Sequence, residues 1–222
     1  MKTLVFSDTH LSHRFDQAQF ELLRQQIEAA DRVVINGDFW DQYLTTFDKF
    51  VKSDWRQLFP LLKQRQTIYI PGNHDMRDHL DERWQLFADR LEDRIVLQVG
   101  PTFYRIEHGH LHTYSFELKH VRIAKMFNRL YPVIDKFEHQ GNRLTKFYLD
   151  YLRVKHFAND IDLRRFARQN CFENGWYIFG HSHTQKKDTE AKYLNPGMFR
   201  CGSANWLTLD EAGVSMLYSK SY

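Results

Sequence analysis

Three short apolar segments of this chain each run directly into a block of carboxylate, amide or imidazole side chains, and that repetition constrains the fold more than any other feature. Lys2 to Phe6 leads into Asp8-Thr9-His10, Arg32 to Asn36 into Gly37-Asp38-Phe39-Trp40-Asp41, and Thr67 to Ile70 into Pro71-Gly72-Asn73-His74-Asp75. Each apolar segment has the length of a buried strand. Between them, Phe15 to Ala30 and Thr45 to Gln64 carry apolar residues at helical spacing, with Pro60 expected to kink or end the second. Strand alternating with helix predicts a parallel or mixed sheet with covering helices. Such sheets bind ligands beyond the carboxyl ends of their strands, where these blocks fall.

The rest of the chain changes rhythm. His79 to Leu91 reads as helix, Arg94 to Val99 and Thr102 to Glu107 as strands, and Lys119 to Glu138 and Asn142 to Asn170 as two helices joined by a Gln140-Gly141-Asn142 turn. Short strands return at Trp176 to Phe179, Tyr193-Leu194, Trp206 to Leu209 and Val214 to Tyr218. The expectation is one α/β domain over 1–222 with 119–170 as a basic helical insertion. The net charge of +3 hides this asymmetry: Lys119 to Asn170 holds twelve Lys/Arg against five Asp/Glu. An apolar share of 42% and a charged share of 27% exclude a disordered chain and a membrane bundle. The N-terminus reaches Asp8 too soon for a signal peptide, and no run approaches a membrane span, so a cytoplasmic location is expected. Cys171 and Cys201 cannot build a disulfide framework or a thiolate zinc cluster alone, and are expected to be small buried residues.

Histidine is plentiful, twelve in a chain with ten Gly and five Pro. Residues two apart on extended backbone share a face, so Asp8 and His10 can reach one cation, as can the pair in Gly180-His181-Ser182-His183. His108-Gly109-His110 follows another predicted strand. Gly37, Gly72, Gly109 and Gly180 all stand beside these candidate ligands, where backbone must bend around something. Neutral imidazole suits borderline transition metals, and Asn73 adds a neutral oxygen.

These blocks, in this order, resemble those of the calcineurin-like metallophosphoesterase family: Asp8/His10, Gly37-Asp38/Asp41, Gly72-Asn73-His74-Asp75, His108-Gly109 and Gly180-His181/His183. The resemblance spans Met1 to about residue 210 apart from the insertion. It implies a four-layer αββα sandwich, two β-sheets between helical layers, with two divalent metal ions at the strand ends. Asp8, His10 and His183 would hold one ion, Asn73, His108 and His181 the other, and Asp38 would bridge them. His74 would be the catalytic histidine, oriented by Asp75, and Asp41 would steady the first ion's ligands by hydrogen bonding. His110 is the rival to His108.

Two divalent ions, two carboxylates and a bridging hydroxide leave a net charge of about +1, which suits an anionic phosphate ester. The expected reaction is in-line attack of that hydroxide on phosphorus, with His74 protonating the leaving oxygen or stabilising the charge that develops on the phosphoryl group. The ligands suit manganese first, with iron or zinc as alternatives. His13, His79, His110, His112, His120, His139 and His156 match no ligand position. In the insertion, Ile123, Phe127, Leu130, Ile134 and Phe137 form an apolar stripe, and Leu144, Phe147, Tyr148, Tyr151 and Leu152 can partner it. Its Arg and Lys could line a cap over the site, with His110, Arg122 and Lys125 as candidate substrate contacts.

Lipid A pathway pyrophosphatases of the family, which cleave a UDP-linked diacyl sugar, have a similar layout. This chain departs from them with His74 in place of their Arg and His110 in place of their Asp, which favours the broader phosphodiesterase group. Readings of another class are a noncatalytic scaffold and a nucleic-acid-binding protein that uses the basic hairpin; nucleic acid and nucleotides are therefore possible partners.

Overall fold

A computed structural model describes residues 1–113, 143–171, 174–200, 202–213 and 215–222, with side chains described outside 143–153. The expected first insertion helix and its turn, His120, His139, Arg122, Lys125 and Cys201 lie outside the described residues.

The order of elements is β1 (Thr3–Phe6), α1 (Gln17–Glu28), β2 (Arg32–Asn36), α2 (Phe47–Lys52), α3 (Phe59–Gln64), β3 (Ile68–Ile70), β4 (Arg90–Leu91), β5 (Ile95–Val99), β6 (Thr102–Ile106), α4 (Arg143–Gln169), β7 (Gly175–Ile178), β8 (Lys186–Asp188), β9 (Tyr193–Asn195), β10 (Phe199–Arg200), β11 (Ser203–Leu209) and β12 (Ser215–Ser221). One sheet runs β10-β11-β1-β2-β3-β4, with β12 also paired to β11; the other runs β5-β6-β7-β9-β8. Pairing is parallel from β1 through β4 and from β6 through β9, so the loops after β1, β2 and β3, and those after β6 and β7, emerge at like ends of their sheets.

Period-two alternation sorts the strand residues into layers. Leu4, Phe6, Val33, Ile35 and Tyr69 face a core closed by Leu23 and Ile27 of α1, Phe50 of α2 and Leu62 of α3. Val5, Val34, Ile68 and Ile70 point the other way and meet Leu97, Tyr104, Ile106, Ile178 and Leu194 of the second sheet. On that sheet's outer face, Tyr177, Phe179 and Tyr193 pack under Leu163 and Ala167 of α4. The result is the expected αββα sandwich. No helix among the described residues is long and apolar enough to cross a membrane.

Three local expectations differ from what forms. Thr45 to Gln64 is not one kinked helix. It breaks at Ser53, whose hydroxyl donates to the Phe50 carbonyl at 2.6 Å, and passes through a 3-10 turn at Asp54–Leu58. Pro60 lies in the first turn of α3, where its missing N–H costs nothing. His79 to Leu91 is not an α-helix but two 3-10 turns, Arg77–His79 and Glu82–Leu86, followed by β4. Phe87 and Ala88 are buried there as an anchor, and the segment must extend by Arg90 to pair with β3. Cys171, just beyond α4, is exposed rather than buried, because the helix has already ended at Gln169.

Candidate active site

The predicted blocks meet at the carboxyl ends of β1, β2, β3, β6 and β7. Reaching this convergence takes unusual backbone. Asp8, His10, Asp38, His181 and His183 all have φ between 46° and 63°, the left-handed region that costs a non-glycine residue of order 1–3 kcal/mol. Strain gathered on the very residues that carry carboxylates and imidazoles marks a place where surroundings hold them against local preference. Gly37 and Gly72 permit the closest approaches. A β-carbon on Gly37 would overlap the His108 ring, and one on Gly72 would overlap the Asp38 carboxylate.

Three groups of side chains bring their ligand atoms within 4.8 Å of one another: Asp8, His10, Asp38 and His183; Asp38, His108 and His181; and His10, Asp41 and His74. Asp38 belongs to the first two. Its Oδ2 lies 3.3 Å from His108 Nε2 and 3.7 Å from His10 Nε2, while its Oδ1 accepts the backbone N–H of His74 at 2.8 Å. His183 Nε2 stands 3.3 Å from both His10 Nε2 and Asp8 Oδ1.

The tautomers can be read from the remaining contacts. His108 Nδ1 donates to the Asn36 carbonyl at 2.8 Å, which leaves Nε2 facing Asp38. That Nε2 is buried without a hydrogen-bond partner among the described residues, as is the amide oxygen of Asn73. Donor atoms buried and unpartnered beside a shared carboxylate fit a pair of divalent cations.

Burial pushes the imidazolium forms of His10, His181 and His183 down from the ordinary histidine value. Neutral rings are the ones that bind metal. Burial works the same way on His108, but the Asp38 carboxylate outweighs it and pushes this ring up to about 10. Asp38 itself is held well below the usual carboxylate range: His108 and His74 prevail over burial. Burial raises Asp8.

The expected pairing of His74 with Asp75 does not form. His74 Nδ1 is 3.0 Å from Asp41 Oδ2, and His10 Nδ1 is 3.0 Å from the same oxygen. Asp75 instead accepts the backbone N–H groups of Asp38, Phe39 and Gly72 at 3.1, 2.7 and 2.5 Å and the Tyr69 hydroxyl at 2.6 Å. Its carboxylate stitches the loops after β2 and β3 together, so its geometric role is to shape the site. The carboxylate against His74 is that of Asp41.

His110 sits beside the second group, its ring 5.6 Å from that of His108 and 6.3 Å from that of His181. Sequence reasoning foresaw α4 as a helix of the insertion but placed none of its residues at the site. His156 packs its ring 4.1 Å from that of His183, and Asn159 Nδ2 lies 3.2 Å from His181 Nε2. The signal available was only their spacing of three on a helix, with nothing in the sequence to aim that face at the site.

Comparison with known proteins agrees with the architecture. No protein with a curated description matches the chain. A structurally and functionally characterised archaeal phosphodiesterase superposes with a TM-score of 0.51 at 16% identity, 99% of each chain being covered. Zinc-complexed Vps29 from Entamoeba histolytica (TM-score 0.48, 15% identity, covering 100% of this chain and 99% of that one) and the E. coli phosphoesterase Yfce (0.47, 15%, 95% and 88%) superpose more loosely. The model of the calcineurin-like phosphoesterase superfamily domain matches residues 1–205. With every strand-end block inside that match, the chain belongs to the calcineurin-like phosphoesterase superfamily.

Proposed function

We propose that this chain is a dinuclear metal-dependent phosphoesterase acting on phosphodiesters, with residues 119–170 as a cap on a single catalytic domain. The observation that carries the reading is Asp38, a buried carboxylate common to two separate ligand groups. Asp8, His10 and His183 hold one cation in this reading, Asn73, His108 and His181 the other, and Asp38 reaches both. Two such cations, manganese in the first instance, would activate water and draw in the phosphoryl oxygens.

His74 serves as general acid. Its side chain is 21% exposed, so substrate can reach it, and Asp41 holds Nδ1, which leaves Nε2 to give a proton to the departing oxygen. Burial opposes the charged ring, but Asp38 and Asp41 overcome it and raise the His74 pKa, in keeping with a proton donor.

The test is a manganese-loaded preparation assayed on monoesters, diesters, cyclic nucleotides, nucleic acids and UDP-linked lipids. Diester hydrolysis is expected, abolished by chelation and restored by manganese. His74→Ala should lower kcat by about 10²–10⁴-fold with metal content unchanged. Full turnover in a verified metal-free sample would refute the mechanism, and preference for the UDP-lipid over simple diesters would assign the chain to the pyrophosphatase group.

A further inference from the structure

Helix α4 reaches the candidate metal centre through one face. His156 and Asn159, three apart, meet His183 and His181, two apart on the loop after β7. The Asn159 contact is the more informative. Asn159 is 1% exposed, and its amide oxygen is buried with no hydrogen-bond partner among the described residues. Its amide nitrogen lies 3.2 Å from His181 Nε2. An amide N–H given to Nε2 would require the ring proton to sit on Nδ1, leaving the imidazole no lone pair for a cation. A half-turn of the carboxamide removes the conflict. The unpartnered oxygen then accepts Nε2–H, and Nδ1 becomes the nitrogen that can bind metal.

We infer that Asn159 is a positioning residue for the metal centre: its amide oxygen fixes the tautomer and the ring plane of His181 from the opposite side of the ring. This inference rests on the two-metal reading above. Through it the basic insertion is part of the metal site's support, since α4 supplies a hydrogen bond that metal-binding histidines otherwise take from a backbone carbonyl or a carboxylate. His156, its ring tilted against that of His183, lies on the same face.

The test measures metal directly. Manganese binding to the full chain is followed by calorimetry and elemental analysis for wild type, Asn159→Leu and Asn159→Asp. Wild type should bind two ions. Asn159→Leu, which keeps the bulk and loses the acceptor, should weaken one of the two by about 10–100-fold and leave the other unchanged. Asn159→Asp, which keeps an acceptor, should remain within a few-fold of wild type. Nitrogen-15 spectra of the zinc-loaded, histidine-labelled wild type should show the His181 proton on Nε2, a readout independent of how any variant folds. Two ions bound with wild-type affinity by Asn159→Leu, or a metal-bearing Nε2 on His181, would overturn the inference alone. A wild type that binds no manganese would overturn the two-metal reading and the inference with it.

Discussion

Asp41 and Asp75 are both buried carboxylates within reach of the His74 loop, yet they hold different things. Asp41 takes two imidazole nitrogens on one oxygen, from His10 and His74, and so sets which nitrogen each ring has left for chemistry. Asp75 takes two donors on each oxygen, all from backbone or Tyr69. Asparagine at 75 would aim an NH₂ at two donors whichever way it turned, and leaving such buried groups unpaired costs about 2–3 kcal/mol. Asp75→Asn should therefore lower the thermal midpoint by roughly 5–10 °C, at about 2–4 °C per kcal/mol for a chain this long. Asp41→Asn should weaken manganese at one site by about 10–100-fold, because Asp41 holds the His10 and His74 rings. Calorimetry on both variants decides between these assignments; the opposite pattern would return the orienting role to Asp75. The ligand blocks were legible in the sequence because each lies within a few residues of a strand end. The partner of His74 was not, because Asp41 and Asp75 are both close in sequence to turns, and only the fold shows which one points at the ring.

At the scale of elements, legibility followed how far a segment's own pattern decides its state. The strands β1 and β2 were plain, since their alternating residues face two different cores. The stretch from His79 to Leu91 has Leu80, Trp84 and Leu91 packed on the first core, a helix-like spacing, but its anchoring at Phe87 and Ala88 and its pairing as β4 overrode the pattern. Helix α4 was foreseen as a helix of a cap, but not which of its residues reach the site, because its docking is a long-range choice made by Leu163 and Ala167. That docking also buries Asp160, whose carboxylate accepts the Tyr193 hydroxyl at 3.0 Å. Burial raises the Asp160 pKa, against the pull of Tyr193 and Arg164. The folded chain thus binds this proton more tightly than the unfolded chain does. The group costs stability at neutral pH, and the cost fades as pH falls through the raised folded value and is gone at the ordinary carboxylate value of about 3.9. Asp160→Asn keeps an acceptor for Tyr193 and removes the charge. Its thermal midpoint should lie above wild type at pH 7, with the gap closing by about pH 4. A wild type more stable at pH 7 would show that the Arg164 interaction outweighs burial.

Across the whole molecule, the proposed ligands come from both sheets: Asp8, His10, Asp38 and Asn73 follow β1, β2 and β3 of one, and His108, His181 and His183 follow β6 and β7 of the other. The sheets already share an apolar interface running through Val5, Val34, Ile70, Ile106 and Ile178. Cations bound at its edge would be held only while both sheets are in place, so they bind the folded chain and not the unfolded one. Mass action then adds about 2.7 kcal/mol per site at a free concentration one hundred times Kd. At about 2–4 °C per kcal/mol, one saturated site should raise the thermal midpoint by roughly 5–11 °C, and two by more. The midpoint of the chelated protein should climb with added manganese and fall back on renewed chelation. His181→Ala and Asp8→Ala, which touch ligands from different sheets, should each forfeit part of that gain. Equal midpoints for the loaded and chelated wild type, at a manganese concentration that restores activity, would mean that the cations do not clamp the two sheets.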